Sequence, residues 1–249
     1  MLLKVTNKCS MGCSHCAEDS TPAGGHMSKE TFLKALACAR ELEPVFLTNI
    51  PAVIYLSGGE CTEHPDIVEY ISEVYKADHI PVLVSNGLFL ANKELRESIL
   101  RPEWINFFIQ VTNDSRFYPR KPPRVDDPRI CYVDSLQMMM PLGRYVGKTS
   151  SLPTRQCPGC FNLRSSVRHY KDIRLAILNL RLTRMSNCTP SISADGSIRA
   201  GETGNCFQIG DVNSTLEELT QAILEMKCDK CGLTEGLSVE RKRAIGLAP

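Results

Sequence analysis

The sequence lacks several features that would place it in a large class of proteins. Its start, MLLKVTNKCS, has too short an apolar run for a secretion signal, and no stretch approaches the roughly 20 apolar residues that span a bilayer. Neither sign of charge is in clear excess, since there are 29 Lys and Arg against 28 Asp and Glu. The sequence also has no internal repeat. These absences predict a cytoplasmic protein whose main partner is neither a membrane nor a nucleic acid.

Cysteine, by contrast, is abundant. The chain has 12 cysteines in 249 residues. Disulfides rarely persist in a reducing compartment, so metal or redox chemistry is the better explanation for so many thiols.

Apolar runs alternate with amphipathic stretches over the first part of the chain. The predicted strands are residues 2–5, 52–56, 81–84, 104–111 and a segment within 130–139. The predicted helices begin near Lys29, behind a Ser28 cap, and near Ile67, and a third covers residues 95–100. This alternation predicts an α/β fold with a parallel sheet or partial barrel, whose functional residues lie at the carboxyl ends of the strands.

The pattern changes near Lys148, where Gly, Ser, Pro and Thr accumulate. We therefore predict two domains, residues 1–150 and residues 151–249. In the second, Asp195-Gly196 predicts a hairpin. Ser214 and Glu217 predict a capping box ahead of a helix that leads to Cys228. The second domain is predicted to be a small, cysteine-rich α+β unit.

Three cysteines, Cys9, Cys13 and Cys16, lie within eight residues, directly after the first predicted strand. Three thiolates can ligate three irons of a cubane cluster, whereas structural zinc requires a fourth ligand nearby. His15 is the local candidate, but adjacent side chains on a tight loop rarely converge on one metal. The alternative is a non-catalytic binding protein in which zinc stabilises two cysteine sites.

The segment CSMGCSHC resembles the signature of the radical S-adenosylmethionine (SAM) superfamily, with His15 where the family usually has an aromatic residue. The resemblance implies a partial (β/α)6-type barrel and a [4Fe-4S] cluster held by Cys9, Cys13, Cys16 and SAM. In that family an electron through the cluster cleaves SAM to a 5′-deoxyadenosyl radical, which abstracts a hydrogen from the substrate. A one-electron donor such as flavodoxin or ferredoxin is implied as a partner.

The segment Ser57-Gly58-Gly59-Glu60 follows the second predicted strand and resembles the family's GGE motif, which contacts the methionine amino group of SAM. Glycines allow a close approach of the backbone to a ligand, and a carboxylate can accept a hydrogen bond from an ammonium group. Gly58, Gly59 and Glu60 are therefore expected to bind SAM, although GGE alone is a common turn.

Polar residues also end the next strands. Ser85 and Asn86 resemble the family's SNG stretch, for which an ordinary Asn-Gly turn is the alternative, and Gln110 and Thr112 end the fourth strand, where the family often binds ribose. Arg144, in a PLGR stretch, is expected to bind the SAM carboxylate or a substrate anion, with a structural ion pair as the alternative. The resemblance thus adds five cofactor-binding candidates: Ser85, Asn86, Gln110, Thr112 and Arg144.

A second cysteine pattern, CX12GX4C from Cys188 through Gly201 to Cys206, precedes Cys228-x-x-Cys231. It resembles the SPASM domain and its shorter twitch version, and the resemblance implies one auxiliary [4Fe-4S] cluster held by Cys188, Cys206, Cys228 and Cys231. A four-cysteine zinc ribbon is the alternative.

The remaining sulfur-containing residues have less specific predictions. Cys157 and Cys160 form another CxxC pair that could exchange with the second set, act as a redox dithiol or bind a further metal. The methionines at 138–140 are predicted to fill the core. Cys38, Cys61 and Cys131 lack ligand spacing and are predicted to be buried.

Members of the family with this C-terminal arrangement commonly modify peptides or proteins, and others oxidise small metabolites. The sequence leaves both substrate classes open. The auxiliary cluster is expected either to take up the electron released on substrate oxidation or to orient the substrate.

Overall fold

The computed structural model describes residues 1–43, 51–140, 142–145, 152–153, 159–183, 189–204 and 206–226. These residues contain eight strands and six α-helices. The strands are β1 (Leu2–Thr6), β2 (Val53–Gly58), β3 (Ile80–Ser85), β4 (Phe108–Thr112), β5 (Ile130–Val133), β6 (Ser191–Ile192), β7 (Ser197–Arg199) and β8 (Gln208–Asp211). The helices are α1 (Lys29–Leu42), α2 (Ile67–Lys76), α3 (Lys93–Ile99), α4 (Gly159–Tyr170), α5 (Ile173–Thr183) and α6 (Leu216–Glu225).

All eight strands form one sheet in the order β5-β4-β3-β2-β1-β6-β7-β8. The strands from β5 to β6 in this order run parallel, and β7 and β8 add an antiparallel end. This α/β sheet with six parallel strands is compatible with the predicted partial barrel. Strands from both predicted domains share the sheet, and the predicted boundary at residue 150 lies outside the described residues.

The two faces of the sheet differ in burial. Leu3, Leu56 and Leu83 point to one face and are fully buried in the main core, which also contains Phe32 of α1 and Tyr70 of α2. These two rings stack at 3.8 Å between centroids. Burial of this apolar face is the main favourable term in the stability of the fold.

The opposite face of the sheet is partly open. Tyr55 of β2 and Phe108 of β4 both pair with Val82 of β3, which lies between them. They are 40% and 48% exposed, respectively. Cys131 lies on the same side of edge strand β5 and is exposed, so the prediction that it is buried is wrong. An edge strand has a neighbour on one side only, and the sequence pattern does not show which strand is at the edge.

The helix caps show both the success and the limit of local patterns. Ser28 caps α1 as predicted, accepting a hydrogen bond from the Thr31 amide at 3.1 Å. The predicted capping box of α6 is wrong by one residue, because Thr215 and Glu218 form it rather than Ser214 and Glu217. Both pairs have the same spacing, so the pattern could not distinguish them.

Two helices went unpredicted. α4 and α5 occupy residues for which the sequence pattern predicted no helix or strand. In α5 the buried residues are Ile173, Ala176, Ile177 and Leu180. Their spacing is typical of an amphipathic helix, so the signal was present in the sequence.

Among the described residues, every helix is too short or too polar to cross a membrane.

Candidate functional site

The loop that carries the first cysteines leaves β1 and folds back on itself before α1. Its two arms are joined by backbone hydrogen bonds from Asn7 to Gly25 at 2.8 Å and from Cys9 to Thr21 at 2.9 Å. This closed loop, residues 7–25, is called the cysteine loop below. Its bonds fix where the thiols lie relative to the sheet.

The three thiols of this loop lie close to one another in a small apolar cluster. Cys9 and Cys13 are buried with Met11, and Cys16 and Tyr118 pack against them. Burial, together with the neighbouring thiols Cys9 and Cys16, raises the pKa of Cys13 to about 12, and burial also raises the pKa of Cys9. At neutral pH both are thus protonated in the metal-free chain, and a metal that binds them displaces protons.

A cavity of about 460 Å³ lies beside these thiols, at the carboxyl ends of β2, β3 and β4. Its lining includes Cys9, Cys13 and Cys16 together with six of the predicted cofactor residues: Gly58, Gly59, Glu60, Ser85, Asn86 and Thr112. Protein pockets that bind small molecules typically have a volume of this size. The fold therefore brings together motifs that are more than 100 residues apart in the sequence, such as those of Cys9 and Thr112.

Soft thiol donors beside a cavity that also carries polar strand-end side chains fit an iron–sulfur cluster that has one iron open to a ligand. Among the described residues, no group of three or more His, Cys, Asp or Glu side chains is placed to hold a single metal ion. A cubane has its ligated irons at separate corners, so its thiolates do not converge on one point. The fit rests on the donor type and on the shared cavity.

The two glycines of the GGE motif are packed against the protein's own backbone. Gly58 has φ +141°, and a Cβ there would lie 2.1 Å from the Thr6 carbonyl oxygen. A Cβ on Gly59 would lie 2.3 Å from the Lys8 carbonyl oxygen. Glycine is therefore required where β2 ends against the start of the cysteine loop, whatever ligand the cavity takes.

Glu60 is buried and its carboxylate accepts several hydrogen bonds. Oε1 accepts from the Thr62 hydroxyl at 2.6 Å and from the Ser85 hydroxyl at 2.7 Å. Oε2 accepts from the backbone amide of Asn86 at 2.7 Å. Burial raises the pKa of Glu60, while these donors oppose the rise. A carboxylate has about four acceptor positions, so Oε2 keeps acceptor capacity for a further donor.

Asn86 lines the cavity, and its side chain has an unused donor. Its Oδ1 accepts from the Leu88 amide at 2.9 Å, and its own carbonyl accepts from Asn113 at 3.2 Å. The Nδ2 atom is buried and has no hydrogen-bond partner among the described residues. A buried amide without a partner is costly, so this donor is suited to an acceptor atom of a bound ligand.

The predicted residues of β4 are divided between two cavities. Thr112 lines the cavity beside the cysteines, whereas Gln110 lines a neighbouring cavity of about 690 Å³ on the open face of the sheet. Ser57, Val84 and Met140 line both. Gln110 donates to the Thr112 hydroxyl at 3.4 Å, which links the two positions.

Arg144 lies against the cysteine loop. Its backbone amide donates to the Cys16 carbonyl at 3.0 Å, and its guanidinium donates to the carbonyls of Cys13, at 3.2 Å, and Ser20. It also pairs with Asp19 at 3.0 Å. This corresponds to the structural ion pair given above as the alternative, and the role in binding an anion stays a prediction.

His15 lines the cavity and lies close to two aromatic rings. Its ring centroid is 5.1 Å from that of Phe117 and 4.8 Å from that of Tyr118. Burial lowers the pKa of His15, so the imidazole is neutral at pH 7. Tyr118 also lines the cavity, and sequence reasoning missed it because it follows β4 without any periodic signal.

A methionine-rich segment closes another part of the cavity. Met138, Met139 and Met140 all line it, and Met138 is 50% exposed, so the prediction that this run fills the core is wrong for Met138. The run follows β5 as an irregular segment over the cavity rather than as part of the strand. It supplies soft, adaptable apolar surface to the site.

An ion pair holds this segment in place. The buried Asp114 carboxylate accepts hydrogen bonds from Arg116 Nε at 2.9 Å and from the Leu136 amide at 2.8 Å. Arg116 in turn donates to the Leu136 carbonyl at 2.9 Å. The bond to Arg116 is the main reason that the pKa of Asp114 is well below its usual range. No local sequence pattern singles out Asp114 for this role.

Of the four predicted ligands of the auxiliary site, Cys188, Cys228 and Cys231 lie outside the described residues. Of the separate CxxC pair, Cys157 and the side chain of Cys160 also lie outside them. Cys206 is buried, and its sulfur lies 3.3 Å from the Thr203 hydroxyl. Glu18, two residues beyond Cys16, accepts from Lys4 at 2.7 Å and from the Gly204 amide at 3.1 Å. The segment before Cys206 is thus joined directly to the end of the first cysteine triplet.

No protein-family model and no curated protein sequence matches this chain. One solved structure that is similar in shape is native anSMEcpe with bound AdoMet and the Cp18Cys peptide. The two chains are 13% identical, the match covers 98% of this chain and 85% of that one, and the TM-score is 0.44. A score below 0.5 does not establish a common fold, so the interpretation of this chain rests on its own residues.

Proposed function

We propose that this chain is a radical SAM enzyme, which cleaves SAM reductively and abstracts a hydrogen atom from a peptide, protein or small-metabolite substrate. The observation that carries the proposal is the shared cavity: three thiols, from a loop that resembles the family signature, line it together with polar side chains from three strand ends. A chance CxxxCxxC sequence would not require those strand ends to surround it.

Each part of the cavity has a task in this proposal. Cys9, Cys13 and Cys16 hold three irons of a [4Fe-4S] cluster, which, when bound, supplies the electron that cleaves SAM. Asn86 donates its unused Nδ2 hydrogens to an acceptor of SAM, and Glu60 accepts from the SAM ammonium at the remaining capacity of Oε2. The cofactor performs the chemistry, and these residues bind and orient it.

Apolar side chains form part of the wall of the site. Met11, Met139 and Tyr118 border the cavity, and Met11 and Met139 are 2% exposed. A radical reacts with whatever hydrogen donor reaches it, so an enclosed and fixed site favours reaction with the substrate. The neighbouring cavity, joined through Ser57 and Met140, gives the substrate a place beside SAM.

The second cysteine set, Cys188, Cys206, Cys228 and Cys231, is proposed to hold the auxiliary [4Fe-4S] cluster. The link from Glu18 to Gly204 supports this, because it joins the two cysteine segments. The auxiliary cluster would then receive the electron from the oxidised substrate or orient the substrate.

The test is the formation of 5′-deoxyadenosine. Protein reconstituted anaerobically with iron and sulfide is incubated with SAM and dithionite, and the product is measured by liquid chromatography. We expect product from the wild-type protein and from Cys131→Ala, whose thiol is exposed on the edge strand, but none above background from Cys13→Ala. Colourless protein with stoichiometric zinc and no product would instead support the zinc-stabilised binding protein.

A further inference from the structure

The loop after β4 carries a concentrated positive charge. Residues 115–124, SRFYPRKPPR, contain four basic residues and no acidic one, although the net charge of the whole chain is only +1. All four basic side chains are exposed: Arg116, Arg120, Lys121 and Arg124. This segment is called the basic loop below.

Half of this charge is neutralised by neighbouring carboxylates. Arg116 pairs with Asp114, and Arg124 pairs with Asp134. The ion pairs of the described residues include neither Arg120 nor Lys121. Among the described residues, two of the four positive charges of the basic loop therefore have no ion-pair partner.

The basic loop is fixed to the outside of the cysteine loop. Arg120 Nη2 donates to the Ser10 carbonyl and, at 3.2 Å, to the Ser10 hydroxyl. The Ser14 amide donates to the Phe117 carbonyl at 3.4 Å. Glu63 also contacts Ser10, at 2.7 Å, and places one carboxylate beside this surface. Arg120, with Lys121 next to it in the chain, thus lies beside the residue that follows Cys9.

We infer that Arg120 and Lys121 mark the docking surface for an acidic one-electron donor protein. The inference rests on the proposed function, because only a redox enzyme requires such a partner. Electron transfer between proteins slows steeply with distance, so the donor has to dock close to the cysteines. The basic loop is an exposed, positively charged surface that touches their loop. One electron passes from the reduced donor to this protein at each encounter. The donor is oxidised by one electron, this protein is reduced by one electron, and no atom is transferred.

The placement leaves the substrate a separate route. The neighbouring cavity, with Tyr55 and Gln110 in its lining, is on the open face of the sheet. Charge complementarity mainly increases the rate of encounter and the specificity of a complex, which suits a partner that must bind and leave repeatedly. A transient acidic partner therefore fits the basic loop better than a buried substrate does.

The first test measures binding rather than turnover. Reconstituted wild-type protein and the variants Lys121→Glu and Lys76→Glu are titrated with a bacterial flavodoxin by calorimetry at low salt. Lys76 is an exposed lysine at the end of α2, just before β3 begins. It therefore lies near the amino ends of the parallel strands, whereas the cavity lies at their carboxyl ends. We expect Lys121→Glu to raise Kd about 5- to 10-fold, Lys76→Glu to leave it unchanged, and added salt to weaken wild-type binding.

The second readout compares two sources of electrons. Lys121→Glu should lower formation of 5′-deoxyadenosine when reduced flavodoxin is the donor, and should leave it unchanged with dithionite, which needs no docking surface. An unchanged Kd for Lys121→Glu overturns the inference, as does charge-dependent binding of an RNA oligonucleotide in place of flavodoxin. If dithionite yields no product from any variant, the proposed function fails, whatever the titrations show.

Discussion

The hydroxyl of Ser85 donates a 2.7 Å hydrogen bond to the buried carboxylate of Glu60. The same oxygen accepts from the Gly87 amide at 2.9 Å. Ser85 therefore joins the end of β3 to the end of β2 and also shapes the turn that presents Asn86. Two motifs that are 25 residues apart in the sequence depend on one side chain.

Replacing Ser85 by Ala removes both bonds and leaves a buried N–H group without an acceptor. We expect the free energy of unfolding to fall by about 1–3 kcal/mol, the cost of an unsatisfied buried polar group. Urea denaturation followed by circular dichroism measures this. Ser115→Ala, at an exposed serine, is the control and should change stability by less than about 0.5 kcal/mol.

Gly59→Ala tests the close packing of β2 against the cysteine loop. The new methyl group would lie 2.3 Å from the Lys8 carbonyl oxygen, so backbone has to move. We expect a loss of about 1–3 kcal/mol in the free energy of unfolding. At Gly25 the same methyl group meets no atom within 4 Å. Equal stability of the Gly59→Ala and Gly25→Ala proteins would contradict this account of the motif.

Asp114→Asn tests the ion pair that holds the methionine segment. The pKa of Asp114 is lower in the folded state than in the unfolded state, where it is near 3.9. Such a carboxylate stabilises the fold fully at a pH above its unfolded-state pKa, and this stabilisation is lost as the pH falls towards its folded-state pKa. At pH 7 we therefore expect Asp114→Asn to be less stable by about 2 kcal/mol. The difference should shrink as the pH falls from about 4 towards 2.

Urea denaturation at several pH values measures this difference. Asp126→Asn, at an exposed aspartate, should follow the wild-type protein throughout. A difference between Asp114→Asn and wild type that is constant from pH 7 down to pH 2 would rule out the ion pair as its cause.

Arg144→Ala should loosen the cysteine loop, because its guanidinium holds the carbonyls of Cys13 and Ser20. We expect faster hydrogen exchange of the amides of residues 12–20, measured by mass spectrometry. Arg129 is a matched control, since it also bonds two carbonyls, of Leu100 and Arg101, but far from this loop in the sequence. If Arg129→Ala has the same effect on residues 12–20, Arg144 has no special role there.

Much of the parallel sheet could be predicted from the sequence. Apolar runs showed β1, β2 and β3 directly, and the polar residues that follow them, such as Glu60 and Asn86, lie on one cavity because parallel strands end at the same edge. Their roles toward SAM stay predictions.

The rest of the site depends on long-range contacts that no local pattern shows. Tyr118 and Met138 reach the cavity through irregular segments. The course of these segments is set by long-range hydrogen bonds, such as the one from the Leu136 amide to the Asp114 carboxylate. The exposure of Cys131 likewise depends on the order of the strands. The net charge of the chain is near zero, so composition does not show that Arg120 of the basic loop contacts Ser10.

The central claim is that the cysteine loop binds an iron–sulfur cluster, and the metal content of reconstituted protein tests it most directly. We predict about eight irons per wild-type chain, four for each of two cubanes, and about four after replacement of Cys9, Cys13 and Cys16 by Ala. Stoichiometric zinc in place of iron, or an iron content that the triple replacement leaves unchanged, would contradict the claim.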